Sequence, residues 1–247
     1  LVLFPMRVGA STVLLEAAPP DKLLAAIREY KATVSFTAPT AYRAMIDMLQ
    51  PGDVESLRKC VSAGEALPKA TWDAWFKATG MKLLDGIGAT ELLHIFIGSP
   101  EESLRPGATG KPVPGYEAKV IDDDGNETPL GEPGELCVKG PQVMRGYWQR
   151  PEDTQKSFTD DGFLQTGDIA LIQEDGYIRI VDRKKDMIIV SGFNVFPNEI
   201  EDVVSGHPKV VECAAVGVPD DKSGEAVKVY LVATAEGVTE NELKEFC

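Results

Sequence analysis

The stretch TGDIALIQEDGYIRIVDRKKDMIIVSGFNVFPNEIE, residues 166–201, decides the fold. It opens with two short apolar runs separated by residues 173–176, Gln-Glu-Asp-Gly, which is typical of a β-hairpin turn. Five consecutive charged residues, 182–186, follow this hairpin. A third apolar run and an amphipathic helix that opens at Pro197 lie beyond them. The pattern predicts two folded units joined by a charged hinge at residues 182–186.

The chain before the hinge contains two parts that differ in the spacing of their apolar residues. In residues 1–106, short apolar runs alternate with segments of helical periodicity, and the runs at 13–15 and 81–84 are predicted to be strands. This alternation predicts βαβ units and a mainly parallel sheet, part of a doubly wound α/β fold. Residues 107–181 are dense in Gly and Pro with short apolar runs, which predicts a small antiparallel β-barrel or sandwich.

The chain after the hinge is predicted to form a third, smaller unit over residues 187–247. Apolar runs at 210–218 and 226–233 are predicted strands, and a helix is predicted from Glu240 to Phe246. The helix stops at the end of the sequence, so we expect a partial α+β domain. The predicted class is therefore mixed α/β, with a parallel sheet, a β-rich subdomain and a small terminal domain.

The composition limits the kinds of partner. The 247 residues carry a formal net charge of −14, which argues against nucleic acid because a phosphate backbone requires a basic face. Four scattered cysteines without a C-x-x-C pair predict free thiols in a reducing compartment, and thus a cytoplasmic protein. No apolar run approaches the ~18 residues of a membrane span. The first residue is not Met, which suggests a fragment, and nothing in the composition predicts an oligomeric state.

Two loops carry the candidate binding site. Residues 62–68, SAGEALP, and residues 85–91, DGIGATE, each follow a predicted parallel strand. Ligands bind outside the carboxyl ends of such strands, so we expect the two loops to meet at one site. The second loop is not a dinucleotide fingerprint, because Thr90-Glu91 stand in place of its last spacer and glycine. The acidic run at residues 122–126 is interpreted as a hairpin turn and not as a calcium loop.

TGD, DRKKD and SGFNVFPNEIE, in this order and spacing, resemble motifs of the adenylate-forming (AMP-binding) superfamily. Its members include acyl- and aryl-CoA ligases, luciferases and peptide-synthetase adenylation domains. The resemblance implies a ligase that uses ATP and Mg²⁺ to convert a carboxylic acid into an acyl-adenylate and then, with CoA, into a thioester. Residues 1–106 would then end the large AMP-binding domain, and residues 187–247 would be a truncated mobile domain.

The same resemblance implies roles for individual residues. Asp168 would hold the ribose hydroxyls, since a carboxylate accepts two hydrogen bonds at once, and Arg183 would reach the ribose or phosphate. Thr90 would bond the α-phosphate and Glu91 would hold Mg²⁺. Lys185 would be the pivot of the mobile domain, with solvated hinge charge or a CoA-phosphate contact as open alternatives for it and Lys184. Gly192 would line the CoA tunnel. The remaining implied nucleotide-binding residues are Gly64, Glu65, Ala66, Asp85, Gly86, Ile87 and Gly88.

The acid is predicted from the residues around the second loop. Ile87 stands where most members have an aromatic residue, and this feature with the following LLHIF resembles benzoate- and 2-aminobenzoate-CoA ligases. Their aryl pocket would be lined here by Ala63, Gly88, His94 and Ile95. From residue 122 onward the sequence resembles long- and medium-chain fatty acyl-CoA ligases, as in a chimera or at a blurred branch boundary. An aryl acid is the leading prediction because the pocket lies in the first part.

Several expectations concern what surrounds these motifs. The family's phosphate-gripping loop would lie before residue 1 and its adenylating lysine beyond residue 247, so the chain alone is expected not to turn over. A fatty acyl-CoA ligase, a carrier-loading adenylation domain and a non-catalytic nucleotide-binding fragment remain alternatives. Trp72, Trp75 and the MRGYW segment at 144–148 are predicted to be structural.

Overall fold

The computed structural model describes residues 3–234 and 237–247 and opens with a mixed five-stranded sheet. The strands of this first sheet are β1 (Val34–Thr37), β2 (Lys59–Ser62), β3 (Leu83–Gly88), β4 (Ile95–Gly98) and β5 (Lys111–Pro112). They lie in chain order, with β1, β2 and β3 parallel and with β4 and β5 each antiparallel to the preceding strand. The predicted parallel part of the sheet is confirmed.

Helices cover the parallel strands and build the first hydrophobic core. The helices of this part are α1 (Leu3–Arg7), α2 (Pro20–Tyr30), α3 (Pro39–Ile46) and α4 (Lys69–Thr79). Pro20 and Pro39 occupy first helical positions, where a missing N–H costs no hydrogen bond. Tyr42 and Trp75 are fully buried and their rings meet edge to face, with centroids 4.8 Å apart. Trp75 is therefore a packing residue, as predicted.

Two strand predictions in this part need correction. The run 13–15 is irregular, and its Val13 and Leu14 are 41% and 71% exposed, so the predicted buried strand is wrong. β3 begins at Leu83 and continues to Gly88, beyond the predicted run at 81–84. It extends because its glycines pair closely with β4: a Cβ on Gly86 would lie 2.9 Å from the Ile95 side chain.

The middle sheet contains four antiparallel strands, which are β6 (Glu117–Ile121), β7 (Gly134–Lys139), β8 (Leu164–Ile172) and β9 (Ile178–Arg183). Helix α5 (Pro151–Lys156) lies between β7 and β8 in the chain. Among the described residues no pairing joins β6 to β9, so the predicted barrel is corrected to an open sheet. The outer edge of β9 is occupied instead, because Ile178 forms an isolated bridge with Gly110 from the first sheet.

One core joins the middle sheet to the first sheet. Phe96 and Ile97 on β4 pack with Leu136 and Val138 on β7, and all four side chains are fully buried. The contact is continued by Gly110, where a Cβ would lie only 2.2 Å from the carbonyl carbon of Gly98. Only glycine allows this approach of the two segments. The two sheets therefore form one packed body.

The terminal unit, residues 187–247 as far as they are described, contains a second four-stranded antiparallel sheet. Its elements are β10 (Ile188–Val190), β11 (Phe193–Val195), α6 (Pro197–Ser205), β12 (Val210–Asp220), β13 (Gly224–Ala233) and α7 (Glu240–Phe246). The strand order is β11-β10-β13-β12. The predicted helices at Pro197 and at Glu240–Phe246 are confirmed, and the predicted strands are confirmed in slightly longer form.

A 3₁₀ turn at Lys184–Asp186 connects β9 to β10, within the charged run predicted to be a hinge. The four cysteines are free thiols, and Cys60 and Cys137 are buried. Across residues 3–234 and 237–247, no helix has both the length and the apolar character needed to cross a membrane.

Candidate nucleotide-binding site

A cleft of about 690 Å³ lies between the first sheet, the middle sheet and the terminal unit. Apart from Thr90, it gathers the residues that the sequence assigned to binding of the nucleotide, although these come from distant segments. The cleft-lining residues of this set are Gly64, Glu65, Ala66, Asp85, Gly86, Ile87, Gly88, Asp168 and Arg183. The volume is within the usual range for small-molecule and cofactor sites.

The floor of the cleft follows from the strand ends of the first sheet. β2 ends at Ser62, and the chain turns through Gly64, whose φ of +99° is a left-handed conformation that favours glycine. Next to it, β3 presents Asp85 through Gly88 as a strand and not as the expected loop. The two glycines of β3 line the cleft, and their missing side chains allow β4 to approach from the other side, where Cβ atoms would meet Ile95 and His94.

Asp168 and Arg183 form a fixed ion pair on the middle sheet. They are directly paired residues of β8 and β9, and Arg183 Nη1 lies 2.9 Å from Asp168 Oδ1. Asp168 is only 3% exposed, and this burial raises the pKa of its carboxyl, while the positive charge of Arg183 opposes the rise. The Asp168 N–H donates to Thr166 Oγ1 at 3.1 Å, so the TGD segment itself orients the carboxylate.

A second carboxylate, Asp85, faces the same cleft from β3. Burial raises its pKa from 3.8 to about 7, and only a bond from the Gly86 backbone opposes the rise. Near neutral pH this side chain is therefore divided between its neutral and charged forms. A neutral carboxyl can donate as well as accept a hydrogen bond, which suits contact with a nucleobase edge.

Thr90 and Glu91 stand next to the cleft in a 3₁₀ turn, Thr90–Leu92, and do not belong to its lining. Glu91 is nevertheless close enough to Asp168 for its negative charge to contribute to the raised pKa of Asp168. Glu91 Oε1 accepts a 2.8 Å hydrogen bond from the Tyr147 hydroxyl. This bond raises the pKa of Tyr147, so that Tyr147 remains a hydrogen-bond donor.

The structure brings only some of the residues predicted for the acyl pocket close to one another. Gly88 lines the cleft and is paired with Ile95 on β4, and a Cβ on Gly88 would lie 3.0 Å from the His94 backbone. The His94 ring meets the Phe4 ring edge to face, with centroids 4.5 Å apart. Ala63, His94 and Ile95 do not line the 690 Å³ cleft. Of the four predicted acyl-pocket residues, only Gly88 lines the cleft, while His94 and Ile95 lie next to it on the adjoining segment.

The charged hinge at residues 182–186 is fixed by hydrogen bonds at its first residue, Asp182. Asp182 is 4% exposed and accepts from two backbone N–H groups, Arg183 at 2.7 Å and Asn198 at 2.9 Å. Asn198 is in the first turn of α6, so Asp182 caps that helix from the other unit. Lys184 is bound to the middle sheet, with Nζ 2.9 Å from Glu135 and 3.2 Å from Asp123. These pairings hold the Lys184 ammonium group against the middle sheet.

The two remaining predicted residues lie away from the cleft lining. Lys185 is exposed within the 3₁₀ turn and has no ion pair among the described residues. Gly192 is in the turn between β10 and β11, where it and Ser191 have φ angles of 83° and 51°. A Cβ on Gly192 would meet nothing within 4 Å, so in this arrangement the turn, and not a narrow passage, requires glycine.

Sequence reasoning missed two side chains at the site. Arg43, in α3, lines the cleft and adds a second cation to that of Arg183. Tyr147 reaches Glu91 from a segment that was predicted to be structural. The only sequence signal for Tyr147 was its position in MRGYW. Its partner is 56 residues away in the chain, a distance that no local pattern spans.

Two family models match this chain. The AMP-binding enzyme model matches residues 1–148, and the model of the AMP-binding enzyme C-terminal domain matches residues 199–247. The first match alone covers more than half of the chain, so the chain belongs to the AMP-binding enzyme family.

Individual relatives come from more than one branch of this family. The chain is 50% identical over 223 residues to the long-chain-fatty-acid–CoA ligase of Escherichia coli O6:H1, which covers 87% of the chain and 40% of that relative. It is 38% identical over 236 residues to the benzoate–CoA ligase of Thauera aromatica, with 94% of the chain and 44% of the relative covered. The chain thus spans less than half the length of these curated relatives.

A solved structure matches almost the entire chain. The anthranilate CoA ligase AuaEII in complex with anthranoyl-AMP aligns with a TM-score of 0.90 and 39% identity, over 99% of this chain and 48% of that one. The fold described above is therefore that of adenylate-forming ligases, as the sequence motifs implied.

Proposed function

We propose that this chain is the central and hinge part of an ATP-dependent carboxylic acid–CoA ligase. The protein would form an acyl-adenylate from ATP and an acid, and CoA would then attack to give a thioester. One observation carries the proposal: residues predicted from three separate motifs, among them Gly64, Ile87 and Asp168, line a single cleft. The relatives in the two matched branches are named as CoA ligases, which supports the same reaction class.

The described side chains suggest how the cleft would hold the nucleotide. Asp168 presents a buried carboxylate that can accept from both ribose hydroxyls, and Arg183 keeps it oriented. Ile87 and the backbone at Gly86 would pack on one face of the base, with Gly64–Ala66 on the other. Thr90 would donate to the α-phosphate. In-line attack of a carboxylate on that phosphorus depends mostly on such positioning and on neutralisation of charge.

The donor set also fits Mg²⁺. This ion is commonly held by one or two carboxylates together with substrate phosphates, and no all-protein cage is needed. Glu91 supplies a carboxylate with one oxygen bound by Tyr147. Among the described residues no group of three or more His, Cys, Asp or Glu forms a metal cluster, which agrees with a site completed by phosphate. When bound, Mg²⁺ would offset negative charge on the phosphates.

The proposed division of labour follows the four segments of the sequence. Residues 1–106 would end the nucleotide-binding domain, residues 107–181 would form the β-rich subdomain with Asp168, and residues 182–186 would be the hinge. Residues 187–247 would rotate about Lys185 and bring Gly192 to the path of CoA. The tight bonds of Lys184 and the lack of an ion pair at Lys185 among the described residues support a pivot that begins after Lys184.

The acid is proposed to be an aryl acid such as benzoate. The segment around Ile87 and His94 favours this class, and so does the match to a ligase solved with anthranoyl-AMP. One observation favours a fatty acid as a second candidate, which is the higher identity to the long-chain ligase of E. coli. The aryl acid stays the leading candidate because His94, whose ring contacts Phe4, lies beside Gly88 at the end of β3.

The test is calorimetric titration of the chain with two non-hydrolysable adenylates, one benzoyl and one dodecanoyl. We expect the benzoyl compound to bind more tightly. Asp168→Asn is expected to weaken binding about tenfold to a hundredfold, because hydrogen bonds to a charged group contribute about 1.5–3 kcal/mol. The exposed Asp160→Asn serves as the control and should bind like the unaltered chain.

Each other outcome has a defined meaning. Tighter binding of the dodecanoyl compound would replace the aryl acid by a fatty acid and leave the ligase proposal intact. Equal affinities of the unaltered chain and of Asp168→Asn for both compounds would reject the cleft as the nucleotide site.

A further inference from the structure

Tyr147 contacts a residue of the proposed active site although its own segment was predicted to be structural. Its hydroxyl donates to Glu91 Oε1 at 2.8 Å, and the two residues are 56 positions apart. The ring is 39% exposed, so burial alone does not explain an aromatic residue here. The hydroxyl group, which phenylalanine would lack, bonds to Glu91 and also lies within hydrogen-bond reach of Ser157, ten positions along the chain.

The backbone around Tyr147 is fixed from the other side. Its N–H donates to Thr154 Oγ1 at 2.8 Å, at the α5 helix. Gly146 has a φ of +146°, and a Cβ there would lie 2.6 Å from Thr154 Cγ2, so only glycine allows this approach. The backbone position from which the Tyr147 side chain starts is therefore fixed independently of the hydrogen bond to Glu91.

The same segment also holds the Glu91 main chain. The Met144 N–H donates to the Glu91 carbonyl oxygen at 2.7 Å. Segment 144–147 thus binds Glu91 twice, once at its backbone and once at its carboxylate. Glu91 otherwise lies in a short 3₁₀ turn, where a long side chain has several rotamers available.

We propose that Tyr147 is a positioning residue that fixes the Glu91 carboxylate for a divalent cation. The inference rests on the proposed function, in which Glu91 contacts the cation of the nucleotide. A hydroxyl donor occupies Oε1 and leaves Oε2 open without cancelling the negative charge, as a lysine or arginine would. Groups that bind a metal ligand from behind orient it, and their loss typically weakens metal binding about tenfold to a hundredfold.

The experiment measures Mn²⁺ affinity of the full 247-residue chain with AMP present and a protein-free blank, from the electron paramagnetic resonance signal of free Mn²⁺; AMP replaces ATP because ATP alone would chelate the ion. Tyr147→Phe removes only the hydroxyl and is expected to raise the Mn²⁺ dissociation constant about tenfold or more. Glu91→Gln is expected to raise it further. Tyr177→Phe is the matched control: its hydroxyl donates to the Ser103 carbonyl, away from the cleft, and its loss should leave Mn²⁺ affinity unchanged.

The outcomes separate this inference from the proposed function. If Glu91→Gln weakens Mn²⁺ binding and Tyr147→Phe does not, Tyr147 has no positioning role. If neither variant changes the affinity, or if the unaltered chain with AMP binds no more Mn²⁺ than the protein-free blank, the cation role of Glu91 fails and this inference fails with it. Equal losses in Tyr147→Phe and Tyr177→Phe, together with equal drops in the thermal midpoint, would show a general loss of structure and would also reject the positioning role.

Discussion

The middle sheet and the terminal sheet each have four antiparallel strands, yet they differ greatly in what they bury. Leu136, Val138 and Ile178 of the middle sheet are at most 1% exposed, packed in the core shared with the first sheet. In the terminal sheet, Tyr230 and Val232 are more than half exposed, at 53% and 54%. The ion pair that would hold the nucleotide therefore lies in the body formed by the first and middle sheets, called here the rigid body, whereas the terminal sheet leaves one face open to solvent.

The two regions also hold their acidic groups differently. Asp85, in the rigid body, has a pKa raised to about 7 by burial. Glu242, in the terminal unit, has a pKa lowered to about 2 by the Thr239 backbone N–H and by Lys209. Folding of the rigid body therefore favours the neutral form of Asp85, whereas folding of the terminal unit favours the charged form of Glu242. The stabilities of the two regions should respond to pH in opposite directions.

The largest expected difference is in core truncation. Leu136→Ala in the middle sheet should lower the free energy of unfolding by about 2–5 kcal/mol, because it leaves a cavity in a close-packed core. Val232→Ala in the terminal sheet should change it by about 0.5 kcal/mol or less, since the side chain is half exposed already. Urea unfolding followed by far-ultraviolet circular dichroism measures both, because strands of both sheets contribute to that signal. Similar costs for the two variants would contradict the comparison.

A smaller effect is expected from Asp85→Asn. The raised pKa means that the folded protein holds a proton more tightly than the unfolded chain, so stability falls as pH rises from about 4 through 7. Asparagine cannot ionise, and at pH 8 the variant should be more stable by on the order of 2 kcal/mol, after allowance for water in the cleft. Unfolding at pH 4 should show no such gain. A gain of equal size at both pH values would rule out this cause.

The smallest effect is expected at the last helix of the terminal unit. Thr239 and Glu242 form a capping box at the start of α7, with the Thr239 N–H 2.8 Å from Glu242 Oε2. Thr239→Ala should destabilise α7 by about 1 kcal/mol, as measured by amide hydrogen exchange in residues 240–246. Asn241→Ala, on the same helix, is the control and should not destabilise it.

The same cap gives the terminal unit its pH response. Because the pKa of Glu242 is lowered, the contribution of its carboxylate to the stability of α7 is complete above about pH 4.5. This contribution is lost as the pH falls toward 2. The protection factors of the α7 amides, which correct the exchange rates for their intrinsic dependence on pH, should therefore fall on acidification, while the Asp85 contribution moves the rigid body the other way. Protection factors in α7 that stay the same between pH 5 and 3 would contradict this role of the cap.

Local patterns in the sequence were sufficient for the parts of the fold that depend on neighbouring residues. The hairpin before the hinge, the helix at Pro197 and the capped helix at Glu240–Phe246 all have their signals within a few residues. The meeting of the two Gly loops was also predictable, because parallel strands end at the same edge of a sheet.

Features that depend on distant contacts were not predictable in this way. β3 extends to Gly88 because β4 lies against its glycines, and the expected barrel stays open because Gly110 occupies the edge of β9. The contact of Tyr147 with Glu91 belongs to the same kind, since it joins two segments that share no pattern. A sequence motif therefore indicates the chemical role of its own residues, but it does not indicate which distant residues form hydrogen bonds with them.

Asp182 has a consequence for how the two bodies could move. Its buried carboxylate accepts from the backbone of both bodies, at Arg183 and at Asn198. Turning the terminal unit must withdraw the start of α6 and leave this anion without one donor in a poorly hydrated place. A small rotation of the terminal unit is therefore unfavourable, because it breaks the hydrogen bond from the Asn198 N–H to Asp182 without forming another. The joint should therefore have two separate stable positions, one in which α6 is bonded to Asp182 and one in which the terminal unit is turned away. Gradual bending between these positions is not expected.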